Sequence, residues 1–134
     1  VLLEPKDGSF VETVVTTLNG EKQARFLTSG DPDGDGVQEF VLAGKNTGLW
    51  LLEPQEDGGY APVIIDATSG GFEHATHVVD FDRDGTDEIY VASERPGQAR
   101  ELRQYKWDGK RFRRYIISEL KGMGITWHIN DAEL

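Results

Sequence analysis

The acidic stretches DPDGDGVQEF (Asp31–Phe40) and DFDRDGTDEI (Asp80–Ile89) are two copies of one pattern. Their first residues are 49 positions apart, and every carboxylate of the first copy recurs in the second at that spacing. Gly36 matches Gly85, and each copy runs into an apolar segment that ends in alanine, FVLA or IYVA. A fixed period of this size indicates a repeat architecture.

A second pattern occurs three times and predicts β-hairpins. Each copy has a short β-type run, a turn that contains Asp-Gly, an aromatic residue and then two β-branched residues. The copies lie at residues 2–15, 51–65 and 104–117. Asp-Gly between such runs is a strong hairpin signal, because both residues tolerate the turn geometry.

Together the two patterns give a unit of about 50 residues with four short strands, which is the size of one propeller blade. The predicted strands are Arg25–Thr28, Phe40–Ala43, Leu49–Glu53 and Tyr60–Ile65 in one unit, Thr76–Val79, Ile89–Ser93, Leu102–Trp107 and Phe112–Ile117 in the next, and Val1–Leu3 and Phe10–Val15 before them. The segment Gln98–Gln104 consists of good helix formers and is an alternative helix, although its equivalent in the other unit is a hairpin.

We therefore predict an all-β chain of consecutive four-stranded antiparallel blades, forming one segment of a β-propeller. Residues 1–17 would end one blade, 24–66 and 75–118 would each form a complete blade, and 125–134 would begin another. Two complete and two partial blades cannot close a ring, so each end would expose a sheet face and an edge. We expect the remaining blades of a larger propeller, or self-association, to cover these faces.

The composition excludes several classes of protein. Acidic side chains number 24 against 14 basic ones, for a formal net charge of −10. This balance argues against a nucleic-acid binder, which needs a basic face, and against adhesion to an anionic membrane. No apolar run approaches the ~20 residues that cross a bilayer, so we predict no membrane insertion. The absence of cysteine excludes disulfides, a thiolate nucleophile and thiolate metal sites.

The acidic stretches have the chemistry of a hard-cation site. Several carboxylates a few ångströms apart disfavour joint ionisation unless a cation neutralises them, and Ca²⁺ takes six to eight oxygen ligands. Aspartates at alternate positions can converge on one point, and glycine at the sixth position permits the sharp turn, as in the EF-hand loop. We predict two Ca²⁺ sites: Asp31, Asp33, Asp35 and Glu39 with the Val37 carbonyl in the first, and Asp80, Asp82, Asp84 and Glu88 with the Thr86 carbonyl in the second.

Two other interpretations of these stretches stay open. An EF-hand or dockerin loop shares the opening but needs a bidentate glutamate at position twelve and a helix on each side. Position twelve is Leu42 in one copy and Val91 in the other, and the residues after position nine are β-formers. The second alternative is that both stretches are solvated turns without a metal.

A nine-residue D-x-D-x-D-G-x-x-E loop between two strands, repeated about every 50 residues, resembles the FG-GAP/VCBS-type repeat. This is the calcium-binding blade of integrin-α-like propellers and of many secreted microbial proteins, and the resemblance covers nearly the whole chain. It implies a structural metal in the loop between the first and second strands of each blade. The second copy departs from the pattern, since Arg83 replaces the glycine at position four and Asp87 adds a carboxylate.

The resemblance also implies a location and a role. Extracellular calcium modules bind with a Kd of ~10⁻⁴–10⁻³ M, and cytosolic calcium is too scarce for such sites, so we expect an extracellular or periplasmic protein. The expected function is a scaffold or recognition domain that presents a surface to a protein or a carbohydrate. For this segment alone, we favour a module without enzymatic activity.

The alternative function is a propeller segment of a secreted carbohydrate-active enzyme of the lyase or dehydratase type. First strands line the central channel of a propeller, so His77 and His128 from adjacent blades would face one funnel, with Glu73 nearby. The plainer interpretation, which we favour, is that each histidine is a partly buried residue satisfied by backbone. Trp127 is the candidate for a ligand-facing residue, whereas we expect Trp50 and Trp107 in the core between blades.

Overall fold

The computed structural model describes residues 1–20, 23–45, 47–69, 72–94, 100–119, 121 and 128–131. These residues form strands and no helix, which confirms the all-β prediction; accordingly, none of them forms a helix that could cross a membrane. The strands are β1 (Leu2–Lys6), β2 (Ser9–Thr13), β3 (Ala24–Gly30), β4 (Glu39–Gly44), β5 (Gly48–Pro54), β6 (Tyr60–Asp66), β7 (Phe72–Val79), β8 (Glu88–Glu94), β9 (Glu101–Trp107) and β10 (Phe112–Glu119).

The strands pair as antiparallel meanders. Strands β3-β4-β5-β6 form one four-stranded sheet, the first blade (residues 24–66), and β7-β8-β9-β10 form another, the second blade (residues 72–119). Strands β1 and β2 form a separate hairpin. Of the predicted blade start at 125–134, only residues 128–131 are described, and they are not part of a strand.

Two details of the strand prediction are wrong. The alternative helix at Gln98–Gln104 is a strand where it is described, because β9 pairs with β8 on one side and β10 on the other, and alternate residues Arg103 and Tyr105 are buried. Strand β2 ends at Thr13 instead of Val15, and the Val15 carbonyl accepts a hydrogen bond from the Tyr60 N–H at 2.9 Å.

The hydrophobic core lies between the two blades. It contains Val41, Ala43, Leu49 and Leu51 from the first blade and Ile89, Val91 and Tyr105 from the second, all at most 2% exposed. These residues alternate along their strands, so each sheet presents one apolar face to the other. Strands β3 and β4 lie against β7, which places the β3–β4 and β7–β8 connections next to each other.

The two described tryptophans of the blades are partly buried. The Trp50 Nε1–H donates to Thr47 Oγ1 at 2.9 Å. The ring of Trp107 lies 5.0 Å from that of Phe112, centroid to centroid. Both of these rings line a cleft of about 260 Å³ whose other wall includes Leu51 from the first blade. Trp107 therefore lies at the blade boundary, as predicted.

Apolar side chains remain exposed on the outer hairpins. The exposed set comprises Leu2, Leu3, Phe10 and Val11 on β1 and β2, and Tyr115, Ile116 and Ile117 on β10. The β1–β2 hairpin is exposed along its whole length. Large apolar side chains left exposed in this way are a feature of surfaces that associate.

Candidate metal sites

Each acidic stretch forms a tight loop between the first and second strands of its blade: the first loop (residues 31–39) joins β3 to β4 and the second loop (residues 80–88) joins β7 to β8. The aspartate at position one accepts hydrogen bonds from the N–H groups of positions five and six, at 3.0 and 2.9 Å in the first loop and at 2.9 and 3.0 Å in the second. The aspartate at position five accepts one from position seven, at 2.8 and 3.0 Å. The two loops therefore share one hydrogen-bonding scheme.

Glycine at position six has a conformational cause in both loops. Gly36 has φ 86° and Gly85 has φ 93°, in the left-handed region, and no atom lies within 4 Å of where a Cβ would stand. The backbone, and not a lack of space, therefore selects glycine here. Position four is also left-handed, with φ 73° at Gly34 and 61° at Arg83.

The first loop brings carboxylates together around a buried glutamate. Ligand atoms of Asp31, Asp33 and Glu39 all lie within 4.8 Å of one another. Glu39 is 2% exposed, and its Oε2 is buried without a hydrogen-bond partner. A buried carboxylate in this state is costly unless something neutralises it. The first loop therefore holds a buried carboxylate whose charge no group in the described residues neutralises.

The pKa values of this cluster report the same imbalance. Burial, followed by the charges of the three loop aspartates and of Glu53, raises the pKa of Glu39 to about 7. Burial also raises the pKa of Asp33, with contributions from the neighbouring carboxylates. Burial is the larger cause of both shifts, and the neighbouring negative groups add to it. A cation bound by these carboxylate oxygens would replace their mutual repulsion with attraction.

In the second loop a lysine side chain supplies the positive charge. The Lys106 ammonium contacts Asp82 Oδ2, Glu88 Oε1 at 2.9 Å and Asp84 Oδ2 at 3.5 Å. The adjacent carboxylates, Asp82 first and then Glu88, raise the pKa of Lys106 above its ordinary value, and the lysine lowers the pKa of Asp82. Glu88 Oε1 faces the ammonium as an ion pair and accepts no hydrogen bond. Glu88 is 1% exposed. Its other oxygen accepts hydrogen bonds from the Phe81 N–H at 3.1 Å and from the Tyr90 hydroxyl at 3.4 Å.

The predicted ligands are distributed differently in the two loops. In the second loop, Asp80, Asp82 and Asp84 have ligand atoms within 4.8 Å of one another. Glu88 is not part of this cluster and forms an ion pair with Lys106. In the first loop, Glu39 itself belongs to such a cluster, and Asp35 is exposed. The residues predicted to offer carbonyls, Val37 and Thr86, lie at position seven, where their N–H groups donate to the aspartates at position five.

The two loops are also bonded to each other. Asp87 Oδ2 accepts a hydrogen bond from the Asp31 N–H at 2.8 Å, and the Asp87 N–H donates to the Asp31 carbonyl at 3.1 Å. A Cβ on Gly34 would stand 2.8 Å from Thr86 Oγ1, and one on Gly30 would stand 2.2 Å from Val78 Cγ1. The additional carboxylate of the second stretch thus bonds one blade to the next.

The histidine candidates are only partly described. His77 Nε2 lies 2.9 Å from Asp131 Oδ1, and this contact lowers the pKa of Asp131. His128 is exposed, three residues before Asp131. The side chain of Glu73 and the whole of Trp127 lie outside the described residues. The enzyme alternative stays a prediction.

Sequence reasoning missed a second polar network at the blade boundary. The buried Tyr105 hydroxyl donates to Asp66 Oδ2 at 3.0 Å, and Arg114 Nη1 donates to the same oxygen at 3.1 Å. Arg103 Nη1 donates to Ser69 Oγ at 3.0 Å. Burial raises the pKa of Tyr105 to about 12. No motif marks these residues, because strands β6, β9 and β10 bring them together only in the folded chain.

Comparison with protein families matches the part of the chain that holds both acidic loops. A family model described as an FG-GAP-like repeat matches residues 31–91, which run from the start of the first loop into β8. The match therefore covers both acidic loops and most of the first blade. Neither the curated proteins nor the solved structures contain a match to the chain.

Proposed function

From the match of residues 31–91 to the FG-GAP-like repeat, we propose that the protein is a calcium-stabilised β-propeller module that acts as an extracellular scaffold or recognition domain. The matched residues lie in two consecutive four-stranded antiparallel sheets, which supports a β-propeller repeat module. Ca²⁺ would hold the loop between the first two strands of a blade, and the blades would present a surface to a protein or a carbohydrate.

Glu39 carries the calcium proposal. Its unpartnered Oε2 is buried beside the oxygens of Asp31 and Asp33, so the fold places charge where nothing in the described chain compensates it. Asp and Glu oxygens in a flexible loop are the ligands that Ca²⁺ prefers, whereas Mg²⁺ demands a smaller and near-octahedral shell. The residues of the first loop therefore fit Ca²⁺.

The affinity class supports the extracellular setting. A loop of this kind in an extracellular module has a Kd of ~10⁻⁴–10⁻³ M, so it would be loaded where calcium is millimolar. At ten times its Kd a single site adds about 1.4 kcal/mol to stability by mass action. That is a useful fraction of the ~5–15 kcal/mol that stabilises an ordinary domain.

The exposed outer hairpins support association with further blades. Within the chain, one blade covers the apolar face of the next, as Val41 and Leu51 do with Ile89 and Val91. The β1–β2 hairpin repeats the pattern of β5–β6, so we propose that other propeller blades cover its face in the same way. Analytical ultracentrifugation at several concentrations distinguishes this proposal from self-association, in which a second copy of the chain would cover the exposed face.

The calcium proposal is tested by isothermal titration of calcium-stripped protein with Ca²⁺ and, in parallel, with Mg²⁺. We expect Ca²⁺ binding in the submillimolar to millimolar range and weaker binding of Mg²⁺. Glu39→Gln keeps the shape of the side chain and removes its charge, and should weaken Ca²⁺ binding at least about tenfold because affinity follows the charge count of the ligands. The matched control is Glu12→Gln at an exposed position of β2, which should leave binding unchanged. Absence of Ca²⁺ binding to the unaltered protein would refute the proposal.

A further inference from the structure

We infer that the Lys106 ammonium takes the place of the metal ion in the second loop, so that the chain binds one Ca²⁺, at the first loop, and not two. This inference rests on the proposed function for the first loop. It departs from the repeat of the sequence, which gives both loops the same aspartates and the same glutamate.

The strand register identifies the residue that differs. In the first blade Phe40 pairs with Leu52, so the next position of the ladder sets Glu39 opposite Glu53. In the second blade Ile89 pairs with Tyr105, and the same step sets Glu88 opposite Lys106. Glu53 and Lys106 are therefore equivalent positions of the two blades, with opposite charge.

The charge around the two buried glutamates follows from this exchange. The first loop contains four carboxylates, and Glu53, opposite Glu39 on the neighbouring strand, adds a fifth negative charge. Like charges opposite each other on paired strands are destabilising, whereas opposite charges are favourable. Lys106 converts the unfavourable pair of the first blade into a favourable one in the second. Only the first blade retains a need for an external cation.

The position of the ammonium corresponds to that of an ion. Lys106 Nζ contacts carboxylates at positions three, five and nine of the second loop, namely Asp82, Asp84 and Glu88. These are three of the residues that the loop pattern assigns to Ca²⁺. Two of these contacts, to Asp82 and Asp84, are hydrogen bonds, and the contact with Glu88 Oε1 at 2.9 Å is an ion pair, so one compact positive charge lies among three carboxylates.

A consequence is that Ca²⁺ would compete with Lys106 for the second loop. To bind there, the ion has to displace the ammonium from Glu88, which is 1% exposed, and the displaced positive charge remains attached to the adjacent strand. The second loop therefore stays formed without calcium, while the first loop depends on it. One blade would respond to the calcium concentration and its neighbour would not.

The inference is tested with two reciprocal variants and two backbone reporters. Gly36 and Gly85 donate to the first aspartate of their own loops, so their amide resonances in a ¹H–¹⁵N spectrum report each loop separately. Calcium bound per chain is counted in parallel by equilibrium dialysis. In the unaltered protein we expect one Ca²⁺, a shift of the Gly36 amide and a Gly85 amide that needs at least about tenfold more Ca²⁺ to move.

Lys106→Met removes the charge and keeps the length of the side chain, and should bring the count to two with both glycine amides shifting. Glu53→Lys gives the first blade the lysine of the second, and should abolish the shift of Gly36. If both amides of the unaltered protein shift at similar Ca²⁺, or if Lys106→Met gains no site, the inference is wrong while calcium binding stands. If Gly36 does not shift at all, the proposed function itself is wrong. Should Lys106→Met fail to fold, Glu53→Lys still decides the role of the lysine.

Discussion

The carboxylate of Asp87 in the second loop accepts a hydrogen bond from the backbone N–H of Asp31 in the first, with a nitrogen–oxygen distance of 2.8 Å. The return bond, from the Asp87 N–H to the Asp31 carbonyl, is 3.1 Å long. Because Asp31 is also the residue that opens the first acidic loop, the same residue belongs to the candidate metal site and to the junction between blades. Order in the first loop is therefore linked to the packing of its neighbour.

Asp87→Ala should weaken this junction. The substitution leaves the part-buried Asp31 N–H without its acceptor, which costs about 1–3 kcal/mol of unfolding free energy. Urea unfolding, with Glu56→Ala in an exposed turn as the control, measures the loss. The same variant should also bind Ca²⁺ more weakly, since Asp31 is then less well positioned. Equal stability of the two variants would show that the contact is not a determinant of the fold.

Gly34→Arg should be damaging although arginine occupies the same loop position in the second blade. Arg83 and Gly34 share the left-handed backbone, but a Cβ on Gly34 would stand 2.8 Å from Thr86 Oγ1. Overpacking of this kind costs about 1–3 kcal/mol. Thermal unfolding of Gly34→Arg, Thr86→Ala and the double variant separates the clash with Thr86 from other effects of the arginine. The double variant should recover part of the loss, whereas strict additivity would exclude a clash with Thr86.

These junction residues also mark the limit of what the sequence predicts. Two in-register acidic copies and three hairpin signals define the blades, because strand period and turn chemistry are local properties. The contacts of Asp87 and Gly34 depend on how one blade packs on the next, and no local pattern encodes that. The exchange of Glu53 for Lys106 is visible when the hairpins at 51–65 and 104–117 are aligned. Its effect on the charge of each loop follows only from the strand pairing, which sets these residues opposite Glu39 and Glu88.

Alkaline pH should destabilise the protein through Tyr105. Its folded pKa is raised from 10.0 to about 12 by burial, so the phenol keeps its proton in the folded chain after the unfolded chain has lost it. The stability contributed by this group is therefore complete below about pH 10 and is lost as the pH rises toward 12. Unfolding free energies measured across this range should fall.

Tyr105→Phe should make this fall shallower, although the raised pKa of Lys106 leaves some slope in place. It should also cost about 1 kcal/mol at neutral pH, because Asp66 loses the hydroxyl donor. The control is Tyr115→Phe at a half-exposed position, which should keep the full slope. If unfolding free energy fell as steeply with pH in Tyr105→Phe as in the unaltered protein, Tyr105 would not be the source of the alkaline destabilisation.

Calcium should raise the melting temperature, and two matched alanine variants should divide the effect between the loops. Asp35 and Asp84 occupy position five of their loops, and each accepts a hydrogen bond from position seven, at 2.8 and 3.0 Å. Asp35→Ala and Asp84→Ala therefore remove the same local contact, and differ in whether the loop holds an ion or a lysine. The difference in melting temperature between millimolar Ca²⁺ and chelator should shrink strongly in Asp35→Ala and persist in Asp84→Ala. The gain in the unaltered protein should correspond to about 1.4 kcal/mol at ten times the Kd, the value for a single site. Equal shrinkage in both variants, or twice that gain, would mean that both loops bind calcium.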